Sequence, residues 1–347
     1  MTGLERCLAT LNGGVPDRMP VIAQDAHMAA RLSGVNFIDW AFDPQKRAKM
    51  FIEQRDRFDL DGCLIGGDTT VLAEAAGAKV AFSEDACPKW LSGCMDDYDR
   101  VGDLEKLDPY KSGRLGVWVE TVRLVAEAIG KEYLVVGRGD QGAFVMAAMM
   151  RGMQEFLIDC ALAKEDEALR AKIHKLLLYC NDCQHVLIGA LIKAGAHMTS
   201  TGDSLAGPSV CSPDFYFEYC QPYEKRTAKF CAERGAKFSI HICGSAEAIL
   251  DRWMEVGMDM IEIDHKTQFE PALLAAQKNN CTVLGNLDTT MMLMEDAQDV
   301  LNAARNLIAK NPSGRNMILS SGCILSPDTP PANLHALVQA AKETNYL

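Results

Sequence analysis

The sequence predicts an α/β protein built as a closed (β/α)8 TIM barrel, with an N-terminal helical extension and elaborated loops at the catalytic face. Three observations lead there. Eight short apolar runs alternate with helical sequence, which is the layout of parallel strands joined by crossover helices. Polar or charged residues stand just past most of those runs, as at the functional end of a barrel. No Gly-x-Gly-x-x-Gly follows the first run, so an open doubly wound sheet with a dinucleotide site has no support.

Taken in order, a short helix from Leu4 to Leu11 is followed by the turn-rich segment 12–20 and the first strand, Pro20 to Gln24. An amphipathic helix over 44–58 precedes the second strand, Leu60 to Gly66. Residues 69–115, rich in Gly and Pro and with a short helix at Val71 to Ala76, read as an elaborated connection of the kind that shapes an active site. A helix from Val117 to Ile129 leads to the third strand, Tyr133 to Gly137. Long helical stretches over 142–163 and 166–194 lead to the fourth, Ala196 to Thr201. A helix from Pro213 to Arg234 precedes the fifth strand, which begins at Phe238, and one from Ser245 to Val256 precedes the sixth, Met258 to Asp264. The seventh, Cys281 to Gly285, and eighth, Asn316 to Ser321, flank a helix over 295–310. The chain, 1–347, is expected to form one barrel domain.

Composition removes several function classes. A formal charge of −12 argues against nucleic acid or an anionic membrane as partner. No segment has the uncharged apolar length that spans a bilayer, and the start lacks the signature of a signal peptide, so a cytoplasmic location is expected. Thirteen cysteines without a repeating frame fit reduced thiols better than a disulfide scaffold. Cys180 and Cys183, in helical sequence, read as packing residues, and the methionine groups at 146–153 and 291–294 as core filler.

The chemistry centres on Phe238 to Gly244. Residues two apart share a strand face, so His241 and Cys243 are neighbours, and Cys323, just past the eighth strand, faces the same barrel mouth. Three such ligands with a fourth position open are the pattern of a catalytic zinc, while the alternative is a core histidine with two buried thiols. Asp68, Asp203, Asp264 and Asp288 are each either helix caps or loop carboxylates, or together supply a support for His241, a fourth zinc ligand or a substrate contact. Glu262 shares a face with Asp264, which makes either a candidate fourth ligand. His265 reads as a loop residue.

These residues carry a likeness. Gly14 to Val21, Asp68 to Gly77, His241 to Gly244, Gly285 to Asp288 and Ser320 to Cys323, with Pro330 to Leu334, resemble the uroporphyrinogen decarboxylase superfamily along nearly the whole chain. The resemblance implies a β/α barrel. Within that superfamily, His-x-Cys followed much later by Cys marks the zinc-dependent methyltransferases of corrinoid systems. It implies zinc on His241, Cys243 and Cys323 and a corrinoid (cobalamin) delivered by a separate corrinoid protein, while Asp68 and Asp203, from their places past the strands, are the expected catalytic carboxylates. The substrate is then a methyl ether, such as a methoxylated aromatic undergoing O-demethylation, or a thiol acceptor. The other branch, cofactor-free decarboxylation, matches at Asp68, but the segment Val21 to Arg31 holds one arginine where those enzymes carry several. Segments 69–115 and 203–215 are expected to shape the substrate pocket and the partner's docking surface.

Overall fold

The computed structural model describes residues 1–347. Its strands are β1 (Gly62–Ile65), β2 (Lys79–Ala81), β3 (Lys89–Ser92), β4 (Leu134–Gln141), β5 (Met198–Gly202), β6 (Lys237–Ile242), β7 (Met260–Ile263), β8 (Thr282–Leu287) and β9 (Met317–Ser321). Seven of them form one curled parallel sheet in the order β1-β4-β5-β6-β7-β8-β9, while β2 and β3 pair antiparallel on their own. Helices follow the strands of the large sheet, so its faces are covered and its strands are buried along nearly their whole length.

The eighth barrel position is filled by the predicted first strand in reduced form. Leu319 donates its N–H to the Pro20 carbonyl at 2.9 Å, Ile22 donates to the Leu319 carbonyl at 3.2 Å, and Asp61 donates to the Val21 carbonyl at 2.9 Å. This bridges β9 to the start of β1 and closes the ring. A full ladder does not form there for a chemical reason. Pro20 has no N–H to donate, and the Val21 N–H goes to the Asp61 carboxylate at 2.9 Å. Asp61 also receives Arg6 Nη1 at 2.5 Å and Arg18 Nη1 at 2.9 Å, which locks this corner to the N-terminal segment.

Inside the ring the inward residues fall into two layers. The lower one is apolar: Ile22, Leu64, Val136, Met198, Met260, Leu284 and Ile318 pack with Cys7 and Leu11 of the helix Gly3–Leu11. That helix lies across the strand starts, with Leu4 N–H on the Glu132 carbonyl at 2.7 Å and Thr282 Oγ1 donating to the Thr10 carbonyl at 3.3 Å. A capping box of Thr2 and Glu5 fixes its beginning. Two residues further along the strands, the upper layer is polar and holds Arg138, Ser200, Ser239 and Glu262, all buried.

Several expected elements change form. The helical stretch 142–163 is two helices, Ala143–Arg151 and Met153–Leu162, broken at Gly152 with φ 106°. The stretch from Pro213 to Arg234 breaks at Cys220, two residues before Pro222. The connection 69–115 contains the β2–β3 hairpin, which the sequence reading passes over because both strands are short and partly exposed. Strand β4 runs four residues beyond the predicted end, through a bulge at 139–140 where Asp140 has φ 62°. Met146, Met149, Met150 and Met292 are core residues, whereas Met294 is 71% exposed. No helix is long and apolar enough to cross a membrane.

Candidate metal centre

His241 and Cys243 leave the end of β6 on one face, and Cys323 follows β9, so the three meet at the mouth above the polar layer. Their ligand atoms all lie within 4.8 Å of one another. His241 Nε2 is 3.2 Å from Cys243 Sγ and 3.5 Å from Cys323 Sγ. A tetrahedral zinc with ordinary bond lengths separates neighbouring ligand atoms by about 3.5–3.8 Å, so little movement converts this cluster into a coordination shell.

The imidazole is already set for that role. His241 Nδ1 donates to the backbone carbonyl of Glu262 at 2.9 Å, which leaves Nε2 unprotonated in the neutral ring and turned to the sulfurs. The hydrogen bond from Cys323 holds the Cys243 thiol far below its ordinary range, and the same pairing drives Cys323 upward. Ser204 Oγ lies 3.5 Å from Cys243 Sγ. One thiolate is thus favoured even in the bare protein. An imidazole with two thiols, one of them ready to ionise, is a donor set suited to zinc.

Beside the cluster is a cavity of about 130 Å³ bordered by His241, Cys243 and Cys323. Its far wall is made by the exits of β1 and β4: Gly66 to Thr69 from the first, Arg138 and Gln141 from the second. Close packing dictates the glycines, since a Cβ on Gly66 would come within 3.0 Å of the Arg138 side chain and one on Gly67 within 2.8 Å of Ala26. Behind that wall the Arg47 guanidinium, wholly buried, lies between the Trp118 and Trp40 rings and donates to the Gly66 carbonyl at 3.1 Å.

The expected carboxylates meet different fates. Asp68 borders the cavity, but both oxygens are engaged, Oδ1 by the Thr70 N–H and hydroxyl and Oδ2 by Arg114 Nη1 at 2.6 Å. Asp203, expected beside it, turns away behind the wall. It accepts the Val145 N–H at 3.2 Å and packs so tightly on Gly142 that a Cβ there would stand 2.2 Å from it. Burial pushes its carboxyl up to about 7.

Neither candidate fourth ligand joins the cluster. The Glu262 carboxylate points down into the polar layer, where Arg138, Ser200 and Ser239 hold it, the last at 2.7 Å. Burial alone would raise that carboxyl, and Arg138 together with His241, Ser200 and Ser239 more than reverses the effect. Asp264 accepts the N–H groups of Gly244 and Lys266, each at 3.0 Å, and so shapes the turns after β6 and β7. Strand parity put Glu262 on the right face but one layer too low. His265 and Asp288 stay in loops outside the cavity. Two lining residues went unread: Gln141, whose β4 register is shifted by the bulge, and Ser204, one position past the aspartate that drew attention.

The sequence profile of the family described as uroporphyrinogen decarboxylase (URO-D) matches residues 2–344. Among similar proteins, the methylcobamide:CoM methyltransferase MtbA of Methanosarcina mazei is 26% identical over 353 residues, covering 99% of each chain. The uroporphyrinogen decarboxylase of Rickettsia bellii is 26% identical over 335 residues, covering 92% of this chain and 91% of its own. A solved methyltransferase from Methanosarcina mazei superposes with a TM-score of 0.87 at 21% identity, over 99% of both chains, which corroborates the barrel. With a profile match over nearly every residue and a barrel shared throughout, the chain belongs to the uroporphyrinogen decarboxylase family.

Proposed function

We propose that this protein is a zinc-dependent methyltransferase that moves a methyl group between a small substrate and the cobalt of a corrinoid carried by a separate protein. The observation that carries the reading is the convergence of His241 Nε2 with the sulfurs of Cys243 and Cys323 beside a cavity. The resemblance of the chain to methylcobamide:CoM methyltransferases supports the corrinoid partner. In this reading residues 1–347 act as one domain in the cytoplasm.

Zinc bound by these three residues supplies Lewis acidity, lowering the pKa of a thiol or polarising an ether oxygen. The remaining work belongs to the chain. The Glu262 carbonyl orients His241, and the Arg138–Glu262 pair fixes β4 and β7 beneath it. Asp68, clamped by Thr70 and Arg114, holds the wall Gly66 to Thr69 facing the reacting atom. Asp203 serves by position, anchoring the helix Ala143–Arg151 and the loop that carries Ser204.

Cofactor-free decarboxylation through Asp68 is the weaker reading. A cavity of about 130 Å³ is close to one that takes a benzene ring, about 150 Å³. A tetrapyrrole is several times larger.

Metal analysis of the purified protein tests the proposal. About one zinc per chain is expected, with loss of both zinc and methyl transfer to a corrinoid protein in Cys323→Ala. Full turnover by the zinc-free protein would overturn it.

A further inference from the structure

The two cysteines of the cluster have different surroundings. Cys323 Sγ lies 3.5 Å from His241 Nε2, and no hydroxyl reaches it, since the nearby Ser321 Oγ donates to the Cys323 carbonyl at 2.8 Å. Cys243 Sγ has a neighbour outside the cluster, Ser204 Oγ at 3.5 Å, and that hydroxyl has no other partner in the protein. Ser204 and both cysteines border the cavity.

Ser204 is carried by a segment that packs directly on the ligand strand. The Asp203 N–H donates to the His241 carbonyl at 2.9 Å, and the Asp203 carbonyl accepts the Ala206 N–H at 2.9 Å. A Cβ on Gly207 would stand 2.9 Å from the Cys243 carbonyl oxygen, and one on Gly244 would stand 2.6 Å from Ser209 Oγ. Glycines at both places let residues 203–209 close over Cys243, so the contact between hydroxyl and sulfur is set by two backbones in register.

A thiol can donate to a serine oxygen, but a metal-bound thiolate has no proton, and the hydroxyl is then the donor. Such a hydrogen bond draws charge off the sulfur, which makes it a weaker nucleophile and a weaker donor to the metal. We infer that Ser204 is a positioning residue that makes the two sulfur ligands unequal: its hydroxyl guards the Cys243 thiolate against methylation and keeps the metal acidic toward its fourth ligand, while Cys323 keeps its full donor strength. The inference rests on the zinc site proposed above.

Ser204→Thr keeps the hydroxyl and Ser204→Val has the same shape without it, so the pair isolates the hydrogen bond. Zinc-loaded full chains, checked for metal content, are treated with iodomethane, whose carbon gains a bond to sulfur as iodide leaves with the electron pair of the C–I bond. Mass spectrometry follows methylation at each cysteine. The ratio of Cys243 to Cys323 methylation is expected to rise about tenfold in Ser204→Val and to stay within about twofold of the wild-type value in Ser204→Thr. In the cobalt(II)-substituted protein the sulfur-to-cobalt charge-transfer band is expected to move to lower energy in Ser204→Val and to stay in place in Ser204→Thr. Equal ratios in the two variants, methylation of both cysteines rising together as in a loosened loop, or an unmoved band overturns the inference and leaves the methyltransferase reading standing. A wild-type chain that takes up no zinc overturns that reading, and this inference with it.

Discussion

The two halves of the barrel interior use the same strands for opposite purposes. In the lower half Leu64, Val136, Met198, Met260, Leu284 and Ile318 close on Cys7 and Leu11 with no polar side chain among them. One step of two residues higher, Arg138, Ser200, Ser239 and Glu262 form a hydrogen-bonded ionic layer that is equally buried. Apolar burial gains free energy from area alone. An ion pair at the same depth gains little over an apolar substitute and fails badly when one partner is lost. The lower layer is therefore built for stability, and the upper one is kept because it holds the residues above it in place.

Unequal responses to substitution break or sharpen that contrast. The largest effect is expected from Glu262→Ala, which strands the Arg138 guanidinium and removes two hydroxyl partners, at a cost of about 4 kcal/mol read by denaturant unfolding. The double substitution Arg138→Met with Glu262→Leu should recover most of that stability while methyl transfer stays low. If it restored both, the upper layer would be packing material like the lower one. Next is Leu284→Ala in the lower layer, expected to cost about 3 kcal/mol with zinc content and thiol affinity unchanged. A parallel loss of zinc affinity would show the two layers to be coupled.

The remaining effect is spread over pH. Asp140, at the β4 bulge, accepts the Leu72 N–H at 2.7 Å while its other oxygen has no partner, and burial first, then Asp68, pushes its carboxyl up to about 7. The folded value lies above the unfolded value of about 3.9. Its contribution is thus fully present below about pH 4 and is lost as pH rises through about 7. Asp140→Asn keeps an acceptor for Leu72 and suits the positive φ. It should remove up to about 1.4 kcal/mol per pH unit of that slope between about pH 4 and 7, measured as urea midpoints across the range.

Much of this was legible in the chain itself. The strands β5 to β9 lie within two residues of their predicted positions because each short run is bounded in the sequence by helical stretches and by turn or polar residues. His241, Cys243 and Cys323 could be grouped because strand parity and barrel order are both sequence properties. What escaped depends on local chemistry that periodicity does not record. Pro20 and the Asp61 carboxylate reduce the first strand to a bridge. The bulge at 139–140 re-aims Gln141, Arg138, Ser200 and Ser239 turn Glu262 down, and the Val145 N–H of the helix Ala143–Arg151 holds Asp203 away from the cavity. Parity names a face. It does not say at what height on that face a carboxylate finds its partner.

The helix Gly3–Leu11 carries a last consequence. By sealing the strand starts it makes the barrel a cup with a single rim, and His241, Cys243 and Cys323 sit just inside that rim. For the methyl transfer proposed above, a protein-borne macrocycle and a small molecule must use the same doorway. The smaller reactant enters first and leaves last, so the order of turnover is dictated by which visitor is large enough to shut the door.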